Sequence, residues 1–201
     1  MKSALVLVLA LFAVHPAVPQ PLQDGNGPSM QDTAQWIVNN LNRAGGTYTD
    51  PKGGSETTEQ NIRSNISACV LTYTSDFTSL YKPCCGLRGA TSHFTSSLTI
   101  PLGSLTSIRE VIDNGYWYSN GTPYLFLTSQ TNTWTQTISN AISDSDTWGP
   151  KDGTYSLGQS RFVFNVQGQD NTDLLPRMVK ALTHARDLCK ASYNPHPGEP
   201  F

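Results

Sequence analysis

The chain has 201 residues, a net charge of −2 and only 14% charged residues, against about 25% in an average soluble protein. There is no basic excess to neutralise phosphates and no polybasic helix to dock on anionic lipid, which argues against nucleic-acid binding and electrostatic membrane attachment. Ser and Thr make up about a fifth of the chain, so its polarity is mostly neutral hydroxyl.

In chain order, Met1-Lys2-Ser3 precedes an uncharged run from Ala4 to Val14. One cation followed by a short apolar run is the build of a secretory signal peptide. The run is short of the ~20 residues that span a bilayer. Cleavage after Ala17 fits, with Ala13 as the other position. Residues 18–28 read as a linker, residues 29–191 as one α+β domain, and the Pro-rich residues 192–201 as a disordered tail. The expected location is secreted or periplasmic, with no transmembrane segment once the signal is removed.

Ser29 is placed to cap a helix, with Asp32 three residues on. Met30, Ala34, Ile37, Val38 and Leu41 share a face of it, and Gly45-Gly46 is placed to end it. Strand patterns follow at Ile66–Thr74, Ser92–Pro101 and Ile108–Ile112. Phe77–Gly89 reads as a loop or short strand carrying the Cys pair, and Trp134–Ile142 as strand or helix. Tyr116–Ser119 and Thr122–Thr128 flank Asn120-Gly121, a strong hairpin signal. Asp144–Gly153 reads as a polar loop. Arg161–Val166 is a strand. It leads into Asp173–Cys189, the clearest amphipathic helix, in which Leu174, Leu175, Met178, Ala181, Leu182, Ala185, Leu188 and Cys189 share one face.

These patterns predict an antiparallel sheet of about six to seven strands with an N-terminal helix and a C-terminal capping helix. Thr91–Cys189 carries a resemblance. Ile100-Pro101-Leu102-Gly103-Ser104-Leu105 before a turn, then Phe162-Val163-Phe164 leading into the last helix, resembles a pleckstrin-homology-like barrel. The ending Lys180-Ala181-Leu182-Thr183-His184 is also similar to that of secreted bacterial proteins. The family's phosphoinositide binding would need a basic loop, and the chain offers only the scattered Lys82 and Arg88. The resemblance therefore implies a fold and no binding residues.

Four Cys in an exported chain point to disulfides. Joining the adjacent Cys84 and Cys85 closes a strained ring. The expected bonds are Cys69 to one of that pair and Cys189 to the other. Zinc is disfavoured, because adjacent Cys lack knuckle spacing.

Three sets of residues invite a ligand. Tyr116, Trp117, Tyr118 and Tyr124 could stack on sugar rings, or simply pair across a hairpin. Asp144 and Asp146 in Asp-Ser-Asp-Thr-Trp-Gly begin like a calcium loop, but the later ligand positions are Trp148 and Tyr155, so a solvated turn is favoured. His93 and His184 have no nucleophile motif near them in sequence. Asn65-Ile66-Ser67 and Asn120-Gly121-Thr122 are glycosylation sequons. No cofactor is implied. The expected function is an exported, non-enzymatic binding or interaction module with a protein or glycan partner. The alternatives are a carbohydrate-binding protein using the aromatics and an exported hydrolase with dispersed residues.

Overall fold

The computed structural model describes residues 27–50, 54–81, 89–116, 118–119, 121–144, 149–165 and 173–192. The proposed signal segment, most of the linker and nearly all of the proposed tail lie outside the described residues. Helix α1 spans Met30–Leu41 and helix α2 spans Leu174–Ser192. Between them run β1 (Gly45–Thr49), β2 (Ser55–Ser67), β3 (Val70–Tyr81), β4 (Ala90–Pro101), β5 (Leu105–Ile112), β6 (Pro123–Ser129), β7 (Trp134–Ser143), β8 (Gly153–Leu157) and β9 (Gln159–Asn165). A 3-10 turn at Leu102–Ser104 separates β4 from β5.

The strands form one sheet in the order β5-β6-β9-β1-β2-β3-β4-β7-β8, strongly curled into a half-barrel. Nine strands replace the expected six to seven. The sheet is antiparallel except where β1 runs parallel to β9, through Gly45–Phe164 and Gly46–Asn165. Counting strands by apolar alternation missed β1, β2 and β8. β1 begins with two glycines, β2 is polar on both faces up to Gln60, and β8 is largely exposed. Gly45 must be glycine: at φ +94°, a Cβ would stand 2.6 Å from the Glu59 carbonyl oxygen.

The helices cover one end of the inner face. Ser29 caps α1 by accepting from the Asp32 N–H. Thr33, Ile37 and Leu41 are the buried residues of α1, so the buried stripe includes Thr33, which the apolar pattern passed over. In α2, Leu174, Leu175, Met178, Leu182, Ala185 and Cys189 are buried, largely as expected. These side chains close on Leu71, Tyr73, Leu98, Ile100, Leu105, Leu125, Leu127, Trp134, Phe162 and Phe164 in one cluster. Full burial of an aliphatic or aromatic side chain contributes about 1.5–3 kcal/mol, so this end of the sheet carries most of the fold. Among the described residues, no helix is long and apolar enough to cross a membrane.

Two local expectations change. β5 pairs with β6 across a wide loop, and the described part of Tyr116–Ser119 lies in that loop instead of in a strand. Asp113 organises the loop: its Oδ1 accepts from the N–H groups of Gly115 (2.7 Å) and Tyr116 (2.8 Å). Ile66–Thr74 is not one strand, because Ala68 (φ 47°) and Cys69 (φ 62°) turn the chain from β2 into β3.

The disulfide also differs from expectation. Cys69 bonds to Cys189, with Cα atoms 5.6 Å apart and a sequence separation of 120. The reason is positional. The Cys69 carbonyl accepts from the Leu102 N–H at 2.8 Å, which sets the β2–β3 turn beside the 3-10 turn on which α2 packs. Cys84 and Cys85 lie outside the described residues.

A loop this long makes the bond worth about 3–5 kcal/mol in the chain-entropy picture. Cys189→Ser is expected to lower the Tm by about 6–20 °C, at 2–4 °C per kcal/mol for a chain of this size. Scanning calorimetry of the variant and the parent checks this, and equal Tm values would show that the bond contributes nothing in solution.

Candidate functional site

Past the helices, the inner face forms a mouth among the described residues, and its side chains are set by strand register. Alternate residues of a strand face the same side, and paired residues of neighbouring strands stand abreast. Ser55, Tyr81 and Ala90 form the outermost row. Tyr48, Thr57, Ser79 and Ser92 form the next row, across four strands. Gly46, Glu59, Phe77 and Phe94 form the third. A cavity of about 380 Å³ lies over these rows, closed at one side by Gly149 and Pro150. Phe77 and Phe94 make a flat apolar platform in it, with ring centroids 4.9 Å apart and planes 8° from parallel.

Glu59 marks where the mouth ends and the core begins. It is only 6% exposed. Its Oε1 accepts from the Tyr73 hydroxyl at 2.9 Å and the Ser75 hydroxyl at 2.8 Å. Burial raises its pKa, and the hydrogen bonds from Ser75 and Tyr73 oppose that rise. Burial also raises the Tyr73 and Tyr48 phenols, and the nearby Glu59 charge raises both further. A carboxyl whose pKa is raised by burial, hydrogen-bonded to a phenol and abreast of Phe77 in the cavity lining, marks a candidate functional position.

Rings link the mouth to the β5–β6 loop. Tyr118 meets Tyr48 edge-to-face at 5.0 Å and Tyr124 at 5.3 Å. Burial pushes the Tyr118 phenol up to about 12. Ser119 and Thr49 share a short hydroxyl–hydroxyl contact that ties the same loop to β1. Among the aromatics singled out in the sequence, the structure thus brings Tyr118 and Tyr124 together with Tyr48. Tyr116 stands 72% exposed, and Trp117 lies outside the described residues.

The other sequence candidates are placed elsewhere. Asp144 is exposed, and its Oδ1 accepts from the Thr91 N–H at 2.7 Å, closing the end of β4 against β7. Asp146 lies outside the described residues. Among the described residues, no group of three or more metal-type ligands converges. His93 is exposed, and its Nδ1 lies 3.0 Å from the Thr78 hydroxyl. Both residues fall on the outer face, out of phase with the cavity rows. Sequence reasoning missed Tyr48, Thr57, Glu59, Ser79 and Tyr81. Their only signal is their abreast register, which no local motif encodes.

No family model, no curated protein and no solved structure matches the chain. The site therefore stands on its own geometry.

The Glu59 environment has a signed consequence for stability. Its folded pKa lies above the ordinary 4.5, so the folded state holds the proton more tightly than the unfolded chain. The resulting stabilisation is fully present below the unfolded value and is lost as pH rises through the folded one. Glu59→Gln keeps the shape and cannot ionise. Its stability relative to the parent is expected to improve between about pH 4 and pH 8. Urea midpoints at both pH values check this; a gap that stays constant, or that widens in the parent's favour, contradicts it.

Proposed function

We propose that this chain is an exported, non-enzymatic binding module that holds a small molecule in the mouth of its curled sheet. The observation that carries this is the cavity of about 380 Å³ lined by the Phe77–Phe94 platform and by rows of hydroxyls. Ligand pockets commonly measure about 300–1,000 Å³ and pair an apolar wall with a few placed polar groups. Here Phe77, Phe94, Tyr48 and Tyr81 supply the wall, and Ser55, Thr57, Ser79 and Ser92 supply the polar groups.

This lining selects a ligand with one flat apolar face and several hydroxyl or carbonyl groups. Among the described residues that line the cavity, none is charged, which favours a neutral molecule. A sugar ring has this character, since its C–H face stacks on aromatic rings while its hydroxyls point outward. The carbohydrate reading thus moves from the loop aromatics to the cavity. The Thr78–His93 contact on the outer face gives the hydrolase reading no support at this site. The signal-like start of the chain and a disulfide joining distant residues support export.

A thermal-shift screen of neutral sugars and small aryl glycosides tests this. Hits are expected to weaken about tenfold, or ~1.4 kcal/mol, in Phe94→Ala and to be unchanged in Tyr116→Ala. Circular dichroism confirms that both variants fold. Hits that survive Phe94→Ala and vanish in Tyr116→Ala would place binding on the loop. An empty screen would count against a small neutral ligand.

A further inference from the structure

A second concavity, of about 510 Å³, lies between the two helices. Asp32, Thr33 and Trp36 line it from α1, and Arg177, Lys180 and Ala181 from α2. Positions 177, 180 and 184 of α2 are three and then four residues apart, so they point the same way. The Arg177 guanidinium reaches across the groove and lies 5.2 Å from the centre of the Trp36 ring. Lys180 stands one turn further along. Among the described residues, neither cation has a carboxylate partner. His184 at the far end has its Nε2 2.9 Å from the Pro28 carbonyl, which it ties down as a donor.

The acidic side of the groove is already engaged. The Ser29 hydroxyl donates to the Asp32 carboxylate at 2.7 Å, within the α1 cap. Asp32 keeps its charge, so the groove carries two cations against one carboxylate, and the positive excess sits on the α2 side. The walls between these heads are apolar: the Trp36 ring, Ala181, and the methylene stems of Arg177 and Lys180. A further observation marks the wall as incomplete. Thr33 is 4% exposed, and its Oγ1 has no hydrogen-bond partner among the described residues. An orphaned buried hydroxyl costs about 1–3 kcal/mol, and here it belongs to a residue that lines the groove.

We propose that this groove is a binding site for a small amphipathic carboxylate. The apolar body of the ligand lies against Trp36 and Ala181, and its carboxylate is held by Arg177 and Lys180. The site is separate from the mouth of the sheet and requires a ligand of different charge. An aromatic wall with two cations at its rim matches an apolar acid, and it repels an apolar cation of the same length.

The test uses the full chain and two probes of equal tail, dodecanoate and dodecyltrimethylammonium, below their micelle-forming concentrations, with titration calorimetry as the readout. Dodecanoate is expected to bind and the cation is not. Lys180→Gln and Arg177→Gln are each expected to weaken dodecanoate by about tenfold. Added salt weakens it further, and Phe94→Ala leaves it unchanged. Lys180 is exposed, so its variant reports binding even if Arg177→Gln disturbs the Trp36 contact. Equal binding of both probes, loss of binding in Phe94→Ala, or full binding in Lys180→Gln would each overturn the assignment. So would no binding at all; a dimer detected by size-exclusion chromatography at high concentration would then point to a second copy in the groove.

Discussion

One extra residue in β2 decides what the inner face of the sheet presents. The pairing of β2 with β3 slips between Gln60 and Arg63. Asn61 takes up the slack in the left-handed region, at φ 55°, a conformation that Asn tolerates better than most residues. Before the bulge, Ser55, Thr57 and Glu59 face inward; after it, Ile62, Ser64 and Ile66 do. Without the bulge the same alternation would send Arg63 and Asn65 under α1 and turn Ile62 and Ile66 to solvent. The bulge is held from the outer face. The Asn61 amide donates to Asp76 at 3.0 Å, and Thr95 donates to the same carboxylate at 2.8 Å. Those two bonds hold the Asp76 carboxyl below its ordinary range.

The consequence is a sheet with two ends of different character. On the inner face of β3, the sequence from mouth to core is Tyr81, Ser79, Phe77, Ser75, Tyr73, Leu71. Hydroxyls give way to a ring, then to the Glu59 cluster, then to the aliphatic core. α1 reaches this gradient where β2 has become apolar. It is fixed there by Asn42, whose Oδ1 accepts from the Ser64 N–H at 2.7 Å and the Ser64 hydroxyl at 2.9 Å. α2 is fixed at the same end by the Cys69–Cys189 bond. Both clamps act on the core end and leave the mouth uncovered by either helix.

What was legible in the sequence follows from this division. The helices were legible because Ile37 and Leu41, and Leu174, Met178, Leu182 and Ala185, repeat with helical period against a core. β4 was legible because Ser92, Phe94, Ser96, Leu98 and Ile100 keep one phase along its length. β2 was not, since its phase changes at Asn61 and its inward residues before that point are Ser, Thr and Glu. The chain does reverse between β5 and β6 near Gly121, but Asp113 organises a wide loop there, and Tyr118 packs as a loop residue. The disulfide was misassigned for a related reason. Cys69 looked like a strand residue in an apolar run, whereas it is the second residue of a tight turn aimed at α2.

The candidate site was illegible for a deeper reason. Tyr48, Thr57, Ser79 and Ser92 come from four strands and carry no spacing in sequence; only register places them abreast. A polar residue on a half-buried strand reads as a solvent-facing position, and that inference fails here because these residues line a cavity on the inward face. Glu59 sits where the two solvents meet. A carboxyl at that boundary is costly in the apolar direction and unremarkable in the other. Two hydroxyl donors hold it on the interior side, and among the described groups no cation is hydrogen-bonded to it. Its protonation is therefore coupled to whatever fills the rows above it: a ligand that displaces water from the mouth lowers the local dielectric and favours the neutral acid further. Occupancy of the proposed site would thus be linked to the charge of Glu59 through the same burial that ends the cavity.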